Sequence, residues 1–201
     1  MINVFHKLSS LISIIYTMVI RHKFAEFGKS KIYLNTLITN ANQIVIGNGT
    51  IIRKNSWLYA LNDGKIDDIK IRIGNNVYFG HYLHLTAIRK VIIEDDVLIA
   101  DKVYISDNNH GFDDINTPIK DQPILFKGEV FIRRGAWLGE NVCVIGCSIG
   151  KNSIVAANSV VVKDVPDYTI VAGIPAKIIK KYNFETNKWQ KTNAKGEFIN
   201  E

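Results

Sequence analysis

Residues 71–105 read IRIGNNVYFGHYLHLTAIRKVIIEDDVLIADKVYI, and Ile73, Phe79 and Leu85, then Ile93, Ile99 and Ile105, place a large apolar side chain at six-residue intervals. The same beat runs outward in both directions. Ile46, Ile52 and Leu58 keep it on the N-terminal side; after an interruption Ile132, Leu138 and Val144 resume it, and Ile149, Val155 and Val161 follow one residue short. The next position is often small, as at Gly47, Gly74, Gly80, Ala100, Gly139, Gly150 and Ala156, which suits a corner where the backbone of the next turn passes closely. Arg53, Ser106, Arg133 and Ile145 break that preference, so the repeat is degenerate. A unit of six residues cannot bury its own apolar face. The pattern therefore predicts an all-β solenoid in which each coil is stabilised by the coils on either side.

The chain has 201 residues, 47% of them hydrophobic, enough for one sizeable domain. We divide it into an N-terminal helix and entry segment (1–43), the solenoid (44–180, with an inserted loop at 111–129) and a C-terminal hairpin and tail (181–201). Residues 28–43 read as irregular with short extended pieces, and 62–70, with Asp63-Gly64, as a loop between coils. The insert carries Gly111, Asp113, Asp114, Pro118 and Pro123, and nothing in it keeps the beat; a loop of that length in a compact protein usually serves function. Aromatic alternation around Thr186-Asn187 predicts the hairpin, with a loose polar tail at 191–201.

Lys and Arg exceed Asp and Glu by 25 to 19, a formal charge of +6, which points to an anionic partner: a phosphorylated cofactor, an acidic glycan or a membrane surface. A basic stripe interleaved with aromatics is lacking, so nucleic acid is not expected. Cys143 and Cys147 form neither a zinc site nor a disulfide framework, and suit a reducing cytoplasm. The apolar run 11–20 is too short to span a bilayer and has no cleavage signal after it. Val4, Leu8, Leu11, Ile12, Ile15 and Val19 instead predict one helical face packed on the first coil; a second reading lays that face on the inner membrane leaflet.

Four segments then carry a resemblance: Asp107-Asn108-Asn109-His110-Gly111 with Pro118-Ile119; Ala136-Trp137-Leu138-Gly139; Ile149-Gly150 through Ala156-Ala157-Asn158-Ser159-Val160-Val161; and Lys163-Asp164-Val165-Pro166 with Ala172 to Lys177. In order and spacing the chain resembles the hexapeptide-repeat acyltransferases, and within them the sugar O-acetyltransferases of capsule and lipopolysaccharide gene clusters. The resemblance implies a left-handed parallel β-helix and a homotrimer; general chain chirality favours right-handed crossovers, so the hand rests on the resemblance alone. It implies acetyl-CoA as co-substrate without a metal, and a sugar or polysaccharide acceptor. It also makes His110 the general base that takes the acceptor hydroxyl's proton during direct attack on an already activated thioester. The backbone N–H of Glu140 would face the developing oxyanion. Asp107 either orients the imidazole or caps the turn. Trp137 either stacks on a sugar ring or packs between subunits, and His84 and Asn108 would line the acceptor site. Gly139, Glu140, Ala157 and Ser159 would border the pantetheine arm, and Val162, Lys163, Lys177 and Lys180 the nucleotide phosphates, unless these lysines are ordinary surface residues.

Other readings differ in class. An amino-sugar N-acetyltransferase would share fold and cofactor but accept an amine, and a non-catalytic β-helix would serve assembly. His81, His84 and His110 raise a metal-bound carbonic-anhydrase idea, but their spacing does not reproduce that family's histidine pattern.

Overall fold

The computed structural model describes residues 2–61 and 68–199, with residues 2–7 as backbone, so most of the predicted 62–70 loop, and Val4's side chain, lie outside the described residues. After helix α1 (Ile2–Ile20) the chain winds through three parallel sheets in rotation. The first coil is β1 (Glu26–Phe27), β2 (Lys31–Ile32) and β3 (Leu37–Thr39); the second β4 (Ile44–Ile46), β5 (Ile51–Ile52) and β6 (Trp57–Ala60). The third is β7 (Ile71–Ile73), β8 (Tyr78–Phe79) and β9 (His84–Ala87); the fourth β10 (Val91–Ile93), β11 (Leu98–Ile99) and β12 (Tyr104–Ser106). An antiparallel arm, β13 (Asn108–His110) against β14 (Ile124–Phe126), interrupts the winding. The fifth coil is β15 (Val130–Ile132), β16 (Trp137–Leu138) and β17 (Cys143–Ile145). Ile149, β18 (Ile154–Val155) and β19 (Val160–Val161) form the sixth, and Val165 leads into β20 (Thr169–Gly173). The chain then reverses through a cis Ile174–Pro175 bond into β21 (Ala176–Asn183) and β22 (Lys188–Lys191).

The cross-section is a triangle. We call its sides A (β1, β4, β7, β10, β15), B (β2, β5, β8, β11, β16, β18, β20) and C (β3, β6, β9, β12, β17, β19). Registers such as Ile73↔Ile93↔Ile132, Phe79↔Ile99↔Leu138 and Leu85↔Ile105↔Val144 stack the six-residue beat into three inward columns, all buried. Most outward residues of the same strands are exposed or half-buried. At the vertices many corner residues adopt positive φ, among them Asn55, Asn76, Asn141, Asn152 and Asn158; asparagine tolerates this left-handed conformation better than most L-residues. Asparagine also supplies the vertex hydrogen bonds. Lys29 N–H donates to Asn48 Oδ1, Asn48 N–H to Asn75 Oδ1 and Asn75 N–H to Asp95 Oδ1 (2.8, 2.8 and 2.6 Å), linking four coils. The donors hold the Asp95 carboxyl below its ordinary pKa, with the Asn75 N–H the largest cause.

Four elements differ from the sequence expectation. Residues 26–39 form a complete first coil, with Ile32 and Ile38 stacked under Ile52 and Leu58; Phe27 stands only five residues before Ile32 and Ile46 follows Ile38 by eight, which hides its beat. The insert carries the β13–β14 arm, and Thr192 pairs with Phe198 within the tail expected to be loose.

The largest departure is α1, which is turned around. Ser13 and Thr17 are buried, whereas Leu8, Leu11, Ile12, Ile15 and Val19 are exposed. The first coil ends the solenoid, so its backbone has no preceding coil to pair with. Hydroxyls replace that coil: Thr17 Oγ1 accepts from Ile32 N–H and also lies 3.0 Å from Ile32 O; Ser13 Oγ accepts from Leu34 N–H; Tyr16 Oη donates to Thr36 O. A polar edge selects the polar face of its cap.

Candidate active site

His110 ends β13, opposite Ile124 and exposed, with its backbone N–H bonded to Asn109 Oδ1 (2.9 Å). The arm leaves where side C would turn into side A, at the C–A vertex. Its base is fixed: Gly111 N–H donates to Pro123 O and Lys127 N–H to Asp107 O (both 2.8 Å). The Arg89 guanidinium lies 4.4 Å from the Phe126 ring centre, and Lys90 Nζ is 3.1 Å from Glu129 Oε1.

Asp107 does not partner the imidazole. Its carboxylate is fully buried and accepts from Ile88 N–H (2.8 Å), Arg89 N–H (2.7 Å), Lys90 N–H (2.8 Å) and Asn108 Nδ2 (2.8 Å). Of the two roles left open by the sequence, the structure gives it the cap. Asn108 is 6% exposed, and its amide donates to Asp107 Oδ1.

Gly139, Glu140 and Ala157 stack at the opposite end of side C, the B–C vertex. Gly139 is buried because a Cβ there would lie 2.7 Å from Ala157 N. One vertex position earlier, His81 N–H is taken by Asp101 Oδ1 (2.7 Å). Above Glu140 stands Ala157, which offers no side-chain acceptor, and among the described residues no acceptor within the chain takes the N–H of Asp101, Glu140 or Ala157. Glu140 therefore presents a backbone donor unused by the fold. Lys177 pairs with Ala172 one strand beyond, so Glu140, Ala157, Gly173 and Lys177 ascend over three strand spacings, roughly 14 Å. Ser159 is fully buried, its Oγ accepting from Gly173 N–H, so its side chain braces this vertex.

Trp137, 46% exposed, sits on the outer face of side B between Leu98 and Ile154, and side B lies across the prism from the C–A vertex. Val162 and Lys163 follow β19 at the C–A vertex, above the His110 arm; Lys180 pairs with Ile170 on side B. One chain thus places His110, Val162 and Lys163 at the C–A vertex and Glu140, Ala157 and Lys177 at the B–C vertex. Among the described residues no carboxylate forms an ion pair with Lys163, Lys177 or Lys180. No cluster of three or more His, Cys, Asp or Glu side chains could hold a metal there either.

His84 belongs to an aromatic ladder on side C, stacked on Trp57 (4.4 Å between ring centres, 8° between planes) and edge-on to Tyr104 (5.0 Å). Burial lowers its pKa. The folded state then favours neutral imidazole, so this contribution to stability is complete above the unfolded value of about 6.5 and is lost as pH falls below it. Melting curves should show a smaller loss between pH 7.5 and 5 for His84→Phe than for the wild type; equal losses would contradict this role. The ladder follows from the coil register, since Trp57, His84 and Tyr104 each stand just before a residue of one inward column, Leu58, Leu85 and Ile105.

No family model matches the chain. WbbJ of Escherichia coli, named for O-acetyl transfer in lipopolysaccharide biosynthesis, is 44% identical over 128 residues, 60% of this chain and 65% of its own length. Galactoside O-acetyltransferase of the same organism is 32% identical over 114 residues, 56% and 55%. The chain thus spans less than two-thirds of these relatives' own length. Among solved structures, AntD, an N-acyltransferase from Bacillus cereus in complex with dTDP and coenzyme A, superposes with TM-score 0.70 at 19% identity, covering 84% of this chain and 90% of its own; this shows the fold. The hexapeptide-repeat acetyltransferase VCA0836 of Vibrio cholerae, in complex with acetyl coenzyme A, gives 0.56 at 26% identity, covering 83% and 75%. These structures are left-handed β-helices.

Proposed function

Since its homologues are hexapeptide-repeat acetyltransferases, we propose that this chain is an acetyl-CoA-dependent O-acetyltransferase acting on a hydroxyl of a surface-polysaccharide sugar or its precursor. The observation that carries the reading is the pairing of an exposed histidine on a braced arm with an unused backbone donor at Glu140, within the segment similar to sugar O-acetyltransferases. His110 takes the proton of the acceptor hydroxyl as its oxygen attacks the thioester carbonyl; the Glu140 N–H faces the oxygen that becomes negative, and as the C–S bond breaks the imidazolium returns that proton to the leaving sulfur, releasing the CoA thiol.

His110 and Glu140 fall at opposite ends of side C and Trp137 on side B, so the site is assembled between copies, one giving the arm and its neighbour the B–C vertex with Trp137. A homotrimer satisfies this and covers the exposed apolar residues Tyr78, Leu98 and Trp137 on side B. Light scattering that returns a monomer would defeat the shared site. Lys163 and Lys177 hold the nucleotide phosphates. Exchanging either for glutamate is expected to raise the CoA dissociation constant about tenfold, roughly 1.4 kcal/mol. An unchanged constant removes that lysine from the phosphate site.

The function is tested by thiol release from acetyl-CoA with neutral and acidic sugars, each offered beside its amino analogue. Acetyl ester on a sugar hydroxyl supports the reading. Transfer confined to the amine would replace it with N-acetylation.

A further inference from the structure

Helix α1 docks on the solenoid by its hydroxyl-bearing face and leaves its opposite face bare: Leu11 is 55% exposed, Ile15 55%, Met18 64% and Val19 60%, with Leu8 and Ile12 beside them. At 100° per residue these positions span about a third of the helix circumference, centred opposite Ser13 and Thr17. Interiors normally take such side chains, and an exposed apolar face this continuous marks an interaction surface. From Leu8 to Ile20 the sequence has no charged residue; Arg21, His22 and Lys23 follow directly and are exposed, and no Asp or Glu precedes Glu26. Between α1 and the first coil lies a cleft of about 130 Å³ whose lining joins apolar Ile14, Met18 and Phe27 to basic Arg21 and Lys29.

From these placements we infer that α1 lies in the interface of an anionic lipid bilayer, standing the solenoid on the membrane by its N-terminal end. A convex apolar arc needs no complementary pocket in a bilayer, whereas Arg21, Lys23 and Lys29 meet lipid phosphates at its border. No described helix is long and apolar enough to cross a membrane, so the contact is peripheral. The arc is available because the solenoid's polar edge takes the hydroxyl face, and the inference stands independently of which hydroxyl is acetylated.

The test is flotation of the full chain with vesicles of phosphatidylethanolamine and phosphatidylglycerol, against phosphatidylcholine alone. Binding to the anionic vesicles is expected, and the combined Leu11→Glu, Ile15→Glu, Met18→Glu variant should lower the bound fraction at least about tenfold. Because these side chains are more than half exposed and none makes the hydrogen bonds that dock α1, the protein's melting temperature and acetyl transfer to a soluble acceptor should not change. A second variant, Arg21→Glu with Lys23→Glu, should weaken binding to the anionic vesicles. Absence of binding to anionic vesicles, equal binding to phosphatidylcholine, or full binding by the triple variant each overturns the inference. So does a wild-type oligomer that the triple variant dissociates without vesicles, since the face then belongs to a second copy.

Discussion

His110→Ala is expected to reduce acetyl transfer by roughly a hundredfold or more, the scale on which a lost general base is felt. The imidazole is exposed at the end of β13, and the arm beneath it is held by backbone bonds and the Arg89–Phe126 contact, none of which uses the ring. The substitution should therefore leave folding and the CoA dissociation constant near wild-type values and act on turnover. Steady-state rates of thiol release measure this. A variant that keeps more than about a tenth of wild-type kcat/KM would remove His110 from the base role.

The second large effect is on stability. Asp107→Ala strips a buried acceptor from three backbone N–H groups and the Asn108 amide, and unsatisfied buried donors cost about 1–3 kcal/mol each. Allowing for water and relaxation, a loss of about 3 kcal/mol or more is expected. At about 2–4 °C per kcal/mol for a chain of this size, the melting temperature falls by about 6 °C or more. Asp107→Asn keeps one acceptor oxygen but turns an amide donor towards other donors, and should fall between the two. The alternative, a carboxylate that orients His110, gives a different signature: turnover lost with the melting temperature preserved. A change smaller than about 2 °C for Asp107→Ala would contradict the cap.

Much of the fold was legible because a solenoid repeats its physics. Ile93, Ile99 and Ile105 announce three inward columns before any coordinates exist, and the break after Ser106 marks the arm. What stayed hidden depends on which strands become neighbours. The first coil escaped notice because Phe27 precedes Ile32 by five residues and Ile46 follows Ile38 by eight. The α1 face was misjudged because helical periodicity reports which residues share a face and not which face docks; the bare backbone of β2 decided that. Asp107 lies three residues before His110 in sequence, yet its side chain turns into the coil below. Trp137 and His110 are close in the resemblance's list of motifs and lie on opposite sides of one prism. Only the registered coils show that one chain holds them apart.

The most direct measurement is calorimetric titration of acetyl-CoA and CoA into the wild type and His110→Ala, each first shown by light scattering to be the same oligomer. The account predicts micromolar-range binding of both ligands to both proteins, on the order of −8 kcal/mol, because the cofactor residues and the base are separate groups. Binding to neither protein would contradict it and leave the β-helix as a scaffold.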